Sequence, residues 1–238
     1  MHAAHPTIGV SIARLAHVLE CATVRSAKVQ AVVSPRDHGL ALRLENYLAD
    51  YVGDHDSQYS LDWHCLAIKT KGMALESISA EESNCLVTFG HPAAINGKAL
   101  EYIYDYWQCG GSLVGIRIVD FPLQGKAEFA GDIFGGEYQN EHLLAPATIS
   151  LLPHAGNHPL LRGIRPFVLG GGIHRYELMP NEATPILFAS VAGETLPVAW
   201  VRSKLGRRVF ATSLGSAADF RHPYFLRLLA NAVLWASH

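Results

Sequence analysis

From Lys28 onward, short apolar runs alternate with segments of helical period, and no other feature of the chain narrows its folds as much. Val29–Val33, Cys85–Phe89 and Leu113–Ile116 are nearly continuous apolar runs of strand length. Strands covered on both faces read this way, because neither face meets water. Residues 40–52 carry Leu40, Leu44, Tyr47, Leu48 and Tyr51 at helical spacing, and a second stripe of Leu100, Ile103, Tyr104 and Trp107 follows Asn96. Asn is a good N-cap, and Gly110-Gly111 end the second helix. His64–Ile68 supplies a further strand. The pattern predicts an α/β protein with a mostly parallel central sheet and helices on both faces.

The second half changes rhythm. Ile149–Leu152, Ile173–Leu178, Pro185–Ser190, Val198–Arg202 and Arg208–Thr212 read as short strands, the last two joined through Ser203-Lys-Leu-Gly206 as a hairpin. A final helix carries Phe225, Leu228, Leu229, Ala232 and Trp235 on one stripe and is expected to dock on the sheet. Ahead of the first strand, residues 7–24 hold Ile8, Ile12, Leu15 and Leu19 at helical spacing. The expected division is an N-terminal helical extension over 1–27 and one α/β domain over 28–238. Three roles are open to the extension: packing on the domain edge, contact within a homodimer, or a poorly ordered lead-in.

At 238 residues, with 49% apolar and 17% charged, the chain can bury one large core. A formal net charge of −2 and scattered basic residues point neither to a nucleic-acid groove nor to an anionic membrane. The densest basic cluster, Arg202, Lys204, Arg207 and Arg208, flanks the hairpin and reads as a solvated turn. No uninterrupted apolar run reaches the roughly 18 residues of a membrane span. The N-terminus lacks a basic region, and Arg14, His17 and Glu20 interrupt its apolar stretch. No secretion signal is read there, and the cytoplasm is the expected compartment. Cys21, Cys65, Cys85 and Cys109 form no C-x-x-C pair, so they read as free thiols in place of disulfides or a zinc site.

In open α/β sheets, ligands gather beyond the carboxyl ends of the strands. Arg36-Asp37-His38-Gly39 follows the first strand. A carboxylate beside an imidazole can hold a sugar hydroxyl, act as an acid–base pair or bind a metal; it can equally be a helix cap next to a surface histidine. Gly90-His91-Pro92 follows the Cys85–Phe89 strand and offers one imidazole, structural or ligand-facing. Gly115-Ile-Arg117-Ile-Val-Asp120-Phe121 puts a guanidinium at a strand end. There it either forks onto a carboxylate, a phosphate or a sugar oxygen, or pairs with Asp120 or Asp132. The fourth loop region, Phe134 to His142, contains Tyr138, Gln139, Asn140 and Glu141. Leu169-Gly-Gly-Gly-Ile173 lacks the G-x-G-x-x-G spacing and a following helix, so it reads as a flexible turn before a strand.

Six segments occur in an order and spacing that resembles the trehalose-utilisation, or ThuA-like, family. They are Gly111-Ser-Leu-Val-Gly-Ile-Arg117, Asp132-Ile-Phe-Gly-Gly136, His158-Pro-Leu-Leu-Arg-Gly163, Pro197-Val-Ala-Trp-Val-Arg202, Arg208-Val-Phe-Ala-Thr-Ser-Leu-Gly215 and Asp219-Phe220. The resemblance implies a flavodoxin-like three-layer sandwich of the class I glutamine amidotransferase-like kind and a role in carbohydrate metabolism, among pathways that oxidise trehalose and related disaccharides to keto-sugars. In amidotransferase relatives the turn after the corresponding strand is a Gly-x-Cys-x-Gly elbow whose cysteine attacks an amide. Here Arg117 stands at that position, and a permanently protonated guanidinium is no nucleophile, so no glutaminase activity of that type is expected. The family also places histidines where this chain has Gln139, Glu141 and Ser216, which narrows the imidazole chemistry on offer. His158 reads as support for its loop.

Two functions follow from the resemblance. One is an isomerase or hydrolase of an oxidised sugar, with His38, Asp37 and Arg117 as its catalytic residues. His38 or Glu141 would take a proton next to a carbonyl while Arg117 orients the oxygen that gains charge. His91, Tyr138, Asn140, Glu141, His142, Ser216 and Asp219 would contact the substrate. The other is a non-catalytic sugar-binding or assembly protein with a degenerate site, Tyr138 and Phe121 stacking on sugar faces. The expected partner is a small sugar or keto-sugar, with homodimerisation open. No cofactor is expected, and no tightly bound metal, since too few imidazoles remain close together.

Overall fold

The apolar runs become the interior of one sheet. A computed structural model describes residues 25–55, 59–67, 83–90, 97–118, 129–152, 157–204 and 206–238, so the helical segment read at 7–24 lies outside the described residues. In chain order the elements are β1 (Arg25–Val33), α1 (His38–His55), β2 (Tyr59–Ala67), β3 (Cys85–Phe89), α2 (Gly97–Gln108), β4 (Ser112–Ile116) and α3 (Phe129–Phe134). There follow β5 (Gly136–Leu143), β6 (Ala147–Leu151), β7 (Phe167–Leu169), β8 (Ile173–Leu178), β9 (Thr184–Val191), β10 (Glu194–Lys204), β11 (Arg207–Thr212) and α4 (Pro223–Ser237).

Among the described residues, nine strands form a sheet in the order β2-β1-β3-β4-β11-β10-β9-β6-β7, and β5 and β8 form a separate two-stranded ribbon. β2, β1, β3, β4 and β11 are parallel, whereas β10, β9, β6 and β7 alternate in direction. The sheet is thus largely parallel, as expected, but mixed, its antiparallel strands gathered on one side. Connection length explains the change. Parallel neighbours need a crossover, which the helices supply, while two residues suffice for a hairpin. Ala192 and Gly193, joining β9 to β10, both take left-handed backbone (φ 50° and 84°), the conformation such a turn requires.

Alternation along the strands sorts the core into two layers. Val29, Ala31, Val33, Val87, Val114, Ile116 and Phe210 face α1 and α4, whose Leu44, Leu48, Phe225, Leu228 and Leu229 complete that layer. Val32, Leu86, Leu113, Val209 and Trp200 face the other way, against Leu100, Ile103 and Trp107 of α2, Ile133 and Phe134 of α3, and Tyr176 of the ribbon. Trp200 is fully buried, and its indole N–H donates to the Phe134 carbonyl at 2.7 Å, as a buried indole must find an acceptor.

The loop from His158 to Gly163 is held from α4. Asn231 donates to the carbonyls of Leu160 and Arg162 (both 3.0 Å) and accepts from the Tyr51 hydroxyl at 3.2 Å. His158 accepts the Leu160 N–H on Nδ1 at 3.3 Å and lies against Trp235, so it supports this loop. The basic cluster read as a solvated turn is mostly structural. Arg202 is 3% exposed and donates to Glu182 and to the Gly131 and Asp132 carbonyls. Arg207 packs over Trp107, and Arg208 packs over Trp235. Long basic stems covering aromatic rings bury carbon while leaving charge near water. No helix among the described residues is long and apolar enough to cross a membrane.

Candidate functional site

Five parallel strand ends open on one edge of the sheet, and β4 ends there in a sharp turn. Arg117, the first residue past β4, has φ 51°. A left-handed residue other than Gly costs about 1–2 kcal/mol, so its neighbours must hold it. They do. Its N–H donates to the Leu214 carbonyl beyond β11 at 3.1 Å, and the Ile116 carbonyl accepts from Gly90 beyond β3 at 2.8 Å. Gly90 and Gly215 make room for the turn: a Cβ on Gly90 would stand 2.7 Å from Ile118 Cα, and one on Gly215 would stand 2.6 Å from Ile116 Cγ2.

The ribbon supplies the wall opposite this elbow. Tyr138 pairs with Tyr176 and His142 with His174. Between these pairs, residues 139–141 stand across from Arg175 alone, a bulge of two extra residues. The His174 and His142 rings stack with centroids 4.3 Å apart and planes 9° apart, and Tyr138 meets His174 edge-on at 5.6 Å. Arg117 donates from Nε to His174 Nε2 at 3.4 Å. An imidazole that accepts on Nε2 carries its proton on Nδ1 and is neutral. Burial lowers the His142 pKa below its ordinary value, and the Arg117 cation lowers it further.

The glycine run closes the ring of contacts. A Cβ on Gly172 (φ 79°) would collide with the His142 imidazole, and one on Gly171 would collide with Ser216 Oγ and come 2.5 Å from Asp219 Oδ1. This loop is a turn before a strand, as read, but it is packed between two parts of the site and is not a free connector. Asp219 is 1% exposed, and its Oδ2 accepts the N–H groups of Gly215 (3.0 Å) and Ser216 (2.9 Å). Ser216 Oγ accepts the Asp219 N–H at 3.2 Å. Asp219 thus shapes the turn beside the elbow.

Arg117, Tyr138, His142, Ser216 and Asp219 therefore come together. Asp37 and His38 stand elsewhere on the same edge, beyond β1, two strands from β4. The Asp37 carboxylate accepts from Ser34 Oγ at 2.7 Å, its carbonyl accepts from Leu40 and Ala41 N–H, and His38 is exposed at the first position of α1. This is the arrangement of a helix cap beside a surface imidazole. Asn140 and Glu141 lie within β5, their side chains outside the described residues, as are His91, Asp120 and Phe121. The ion pair weighed between Arg117 and Asp132 does not form; Asp132 is exposed, and its carbonyl serves Arg202. His174 was passed over in the sequence. Its signal was there: His174 and Tyr176 alternate on one strand right after the glycine run.

No described thiol reaches the elbow. Cys85 is fully buried in β3, where burial pushes its thiol well above the ordinary range, and Cys65 and Cys109 are exposed on β2 and beyond α2. The Ile118 N–H, next after the elbow, donates to the Thr212 carbonyl at 3.4 Å, so it is not free to stabilise an oxyanion. Among the described residues, no group of three or more His, Cys, Asp or Glu side chains is placed to hold a metal ion.

The model of the family described as "ThuA: Trehalose utilisation" matches residues 69–236. The chain belongs to the ThuA family. Among solved structures, a ThuA-like protein from Parabacteroides merdae is similar over 90% of both chains, with TM-score 0.64 and 13% identity. The carbohydrate deacetylase Agd3 is similar over 89% of this chain and 32% of its own, with TM-score 0.60 and 14% identity. The exo-β-1,4-mannosidase Op5Man5 from an Opitutaceae bacterium is similar over 94% of this chain and 38% of its own, with TM-score 0.55 and 12% identity. This ThuA-family chain thus corresponds to about a third of each of those two carbohydrate enzymes. At such identities the likeness is one of fold. None of the curated proteins matches the chain.

Proposed function

We propose that this ThuA-family protein binds or processes a sugar or keto-sugar at the carboxyl ends of its parallel strands and has no glutaminase activity. The observation that carries the reading is Arg117 at the β4 elbow, with its guanidinium bonded to a neutral imidazole and no described thiol beside it. Such a group cannot attack a carbonyl, but it can hold the oxygen of one. Tyr138 and the stacked His142–His174 pair offer ring surface and exchangeable protons next to it. The family description and the carbohydrate enzymes among the structural neighbours support a sugar as the ligand class.

For catalysis, a neutral imidazole would remove the proton next to the carbonyl of a keto-sugar while Arg117 stabilises the charge that develops on its oxygen. His142 is held neutral and stands beside Arg117; His38, with Asp37, is the more distant candidate along the same edge. A second reading, binding without turnover, is favoured by Ser216: this hydroxyl and the Asp219 carboxylate bond each other's backbone, which ties both to the turn.

The test is to mix purified protein with a disaccharide and with its keto derivative, follow heat of binding by calorimetry, and follow products by mass spectrometry. Binding of either sugar, weakened about ten-fold or more by Arg117→Ala as expected for loss of a charge-assisted contact, supports the proposal. A product with the keto-sugar makes the protein an enzyme. Ammonia release from glutamine, or no sugar binding at all, ends it.

A further inference from the structure

Among the described residues, no carboxylate is bonded to the charge at the elbow. Arg117 makes one side-chain hydrogen bond among them, to His174 through Nε. A guanidinium carries five N–H donors, so no described residue takes up the two terminal nitrogens of its fork. His174 is a neutral acceptor and removes none of the positive charge, and His142, stacked behind it, is held neutral by burial and by Arg117 itself. Asp219, the described carboxylate beside this turn, is 1% exposed and has one oxygen on two backbone N–H groups; the other, Oδ1, faces Gly171 and has no hydrogen-bond partner among the described residues. The backbone of the elbow is meanwhile left-handed and fixed from both adjacent strands, which points the residue off the end of β4 in a set direction.

A cleft built to hold only hydroxyl groups would not need a cation without a described acidic partner fixed in this way. Neutral sugar oxygens give a guanidinium ordinary hydrogen bonds; a carboxylate or phosphate takes the planar fork with two parallel charge-assisted ones, about twice as strong each. Building on the sugar-binding reading above, we infer that the Arg117 elbow selects a sugar that carries an oxyanionic group, such as a sugar acid or a sugar phosphate, over the corresponding neutral sugar. The oxyanion sits on the Arg117 fork, and the sugar ring lies toward Tyr138 and the imidazole pair.

The experiment is calorimetry of the full chain at pH 7 with glucose, glucuronate and glucose 6-phosphate, on the wild type, Arg117→Met and Arg117→Lys. One or both charged sugars should bind at least about ten-fold more tightly than glucose, which is what one charge-assisted pair contributes. Which of the two binds more tightly assigns the anion as carboxylate or phosphate. Arg117→Met should erase the preference, weakening the charged sugars at least about ten-fold more than it weakens glucose, while Arg117→Lys should keep part of it. Unchanged far-ultraviolet circular dichroism in both variants confirms that the loss is local. If glucose binds as tightly as the charged sugars, or if Arg117→Met keeps the preference, the inference is overturned and the broader sugar reading stands. If none of the three sugars binds the wild type, both fall.

Discussion

Two arginines of this chain sit at opposite extremes. Arg202 is inside, 3% exposed, with an acidic partner in Glu182 and two backbone carbonyls around it. Arg117 is half-buried at a strand end, on strained backbone, with a neutral imidazole as its one hydrogen-bonded side chain among the described residues. The first arrangement fixes α3 and the Met179–Ala183 turn against β10. The second leaves a positive charge facing the open edge of the sheet. Buried charge matched by an acidic partner serves the fold; charge left without one, on backbone that costs energy to maintain, is the usual mark of a place that meets a ligand.

The comparison can be broken by mutation. Arg202→Ala takes a donor from two carbonyls and from the Glu182 carboxylate, and chemical denaturation should record a loss of about 3 kcal/mol. A loss below 1 kcal/mol would mean that this arginine is not structural after all. Arg117→Gly should move the other way. Relief of left-handed strain outweighs the added chain entropy of Gly, for a net gain of about 0.5 kcal/mol and a higher melting temperature. A clear destabilisation would show that Arg117 holds the fold as Arg202 does.

The smallest effect is electrostatic and is read by NMR titration. His142 should titrate below 6.5, and Arg117→Met should move it upward by removing the neighbouring cation, leaving it still below 6.5 because burial remains. His158, lowered by burial alone, should not move. Both native pKa values are depressed, so the unfolded chain takes up protons first. The stability these neutral imidazoles provide is complete above about pH 6.5 and is lost as pH falls through that value toward the native ones. An unfolding midpoint that rises on acidification from pH 7 to 5 would reverse the sign of this account.

The parallel half of the fold was legible because strands buried on both faces leave unbroken apolar runs. Cys85–Phe89 and Ile173–Leu178 have the boundaries the sequence suggested, and β4 differs by one residue. The ribbon strand β5 was not legible: Gly-Glu-Tyr-Gln-Asn-Glu-His-Leu has no apolar alternation, and its partner β8 comes thirty positions later. Arg117 was visible as the residue past a strand, whereas the other half of the site was not. His174 becomes informative only once β8 is laid beside β5, and Gly171 and Gly172 only once the packing against Ser216 and His142 is known. Residue type gave no hint that Arg202 faces inward, since its role depends on carbonyls seventy positions away.

The widened stretch of β5 sets a rule for how this family member can vary in length. Side chains on a strand change sides at every step, so gaining or losing two positions at 139–141 would leave Tyr138 and His142 pointing the same way. Gaining or losing one would turn the His142 ring outward and detach it from Arg117. Relatives whose histidine falls at an odd offset from this tyrosine must therefore build their strand-end chemistry from a different side of the ribbon.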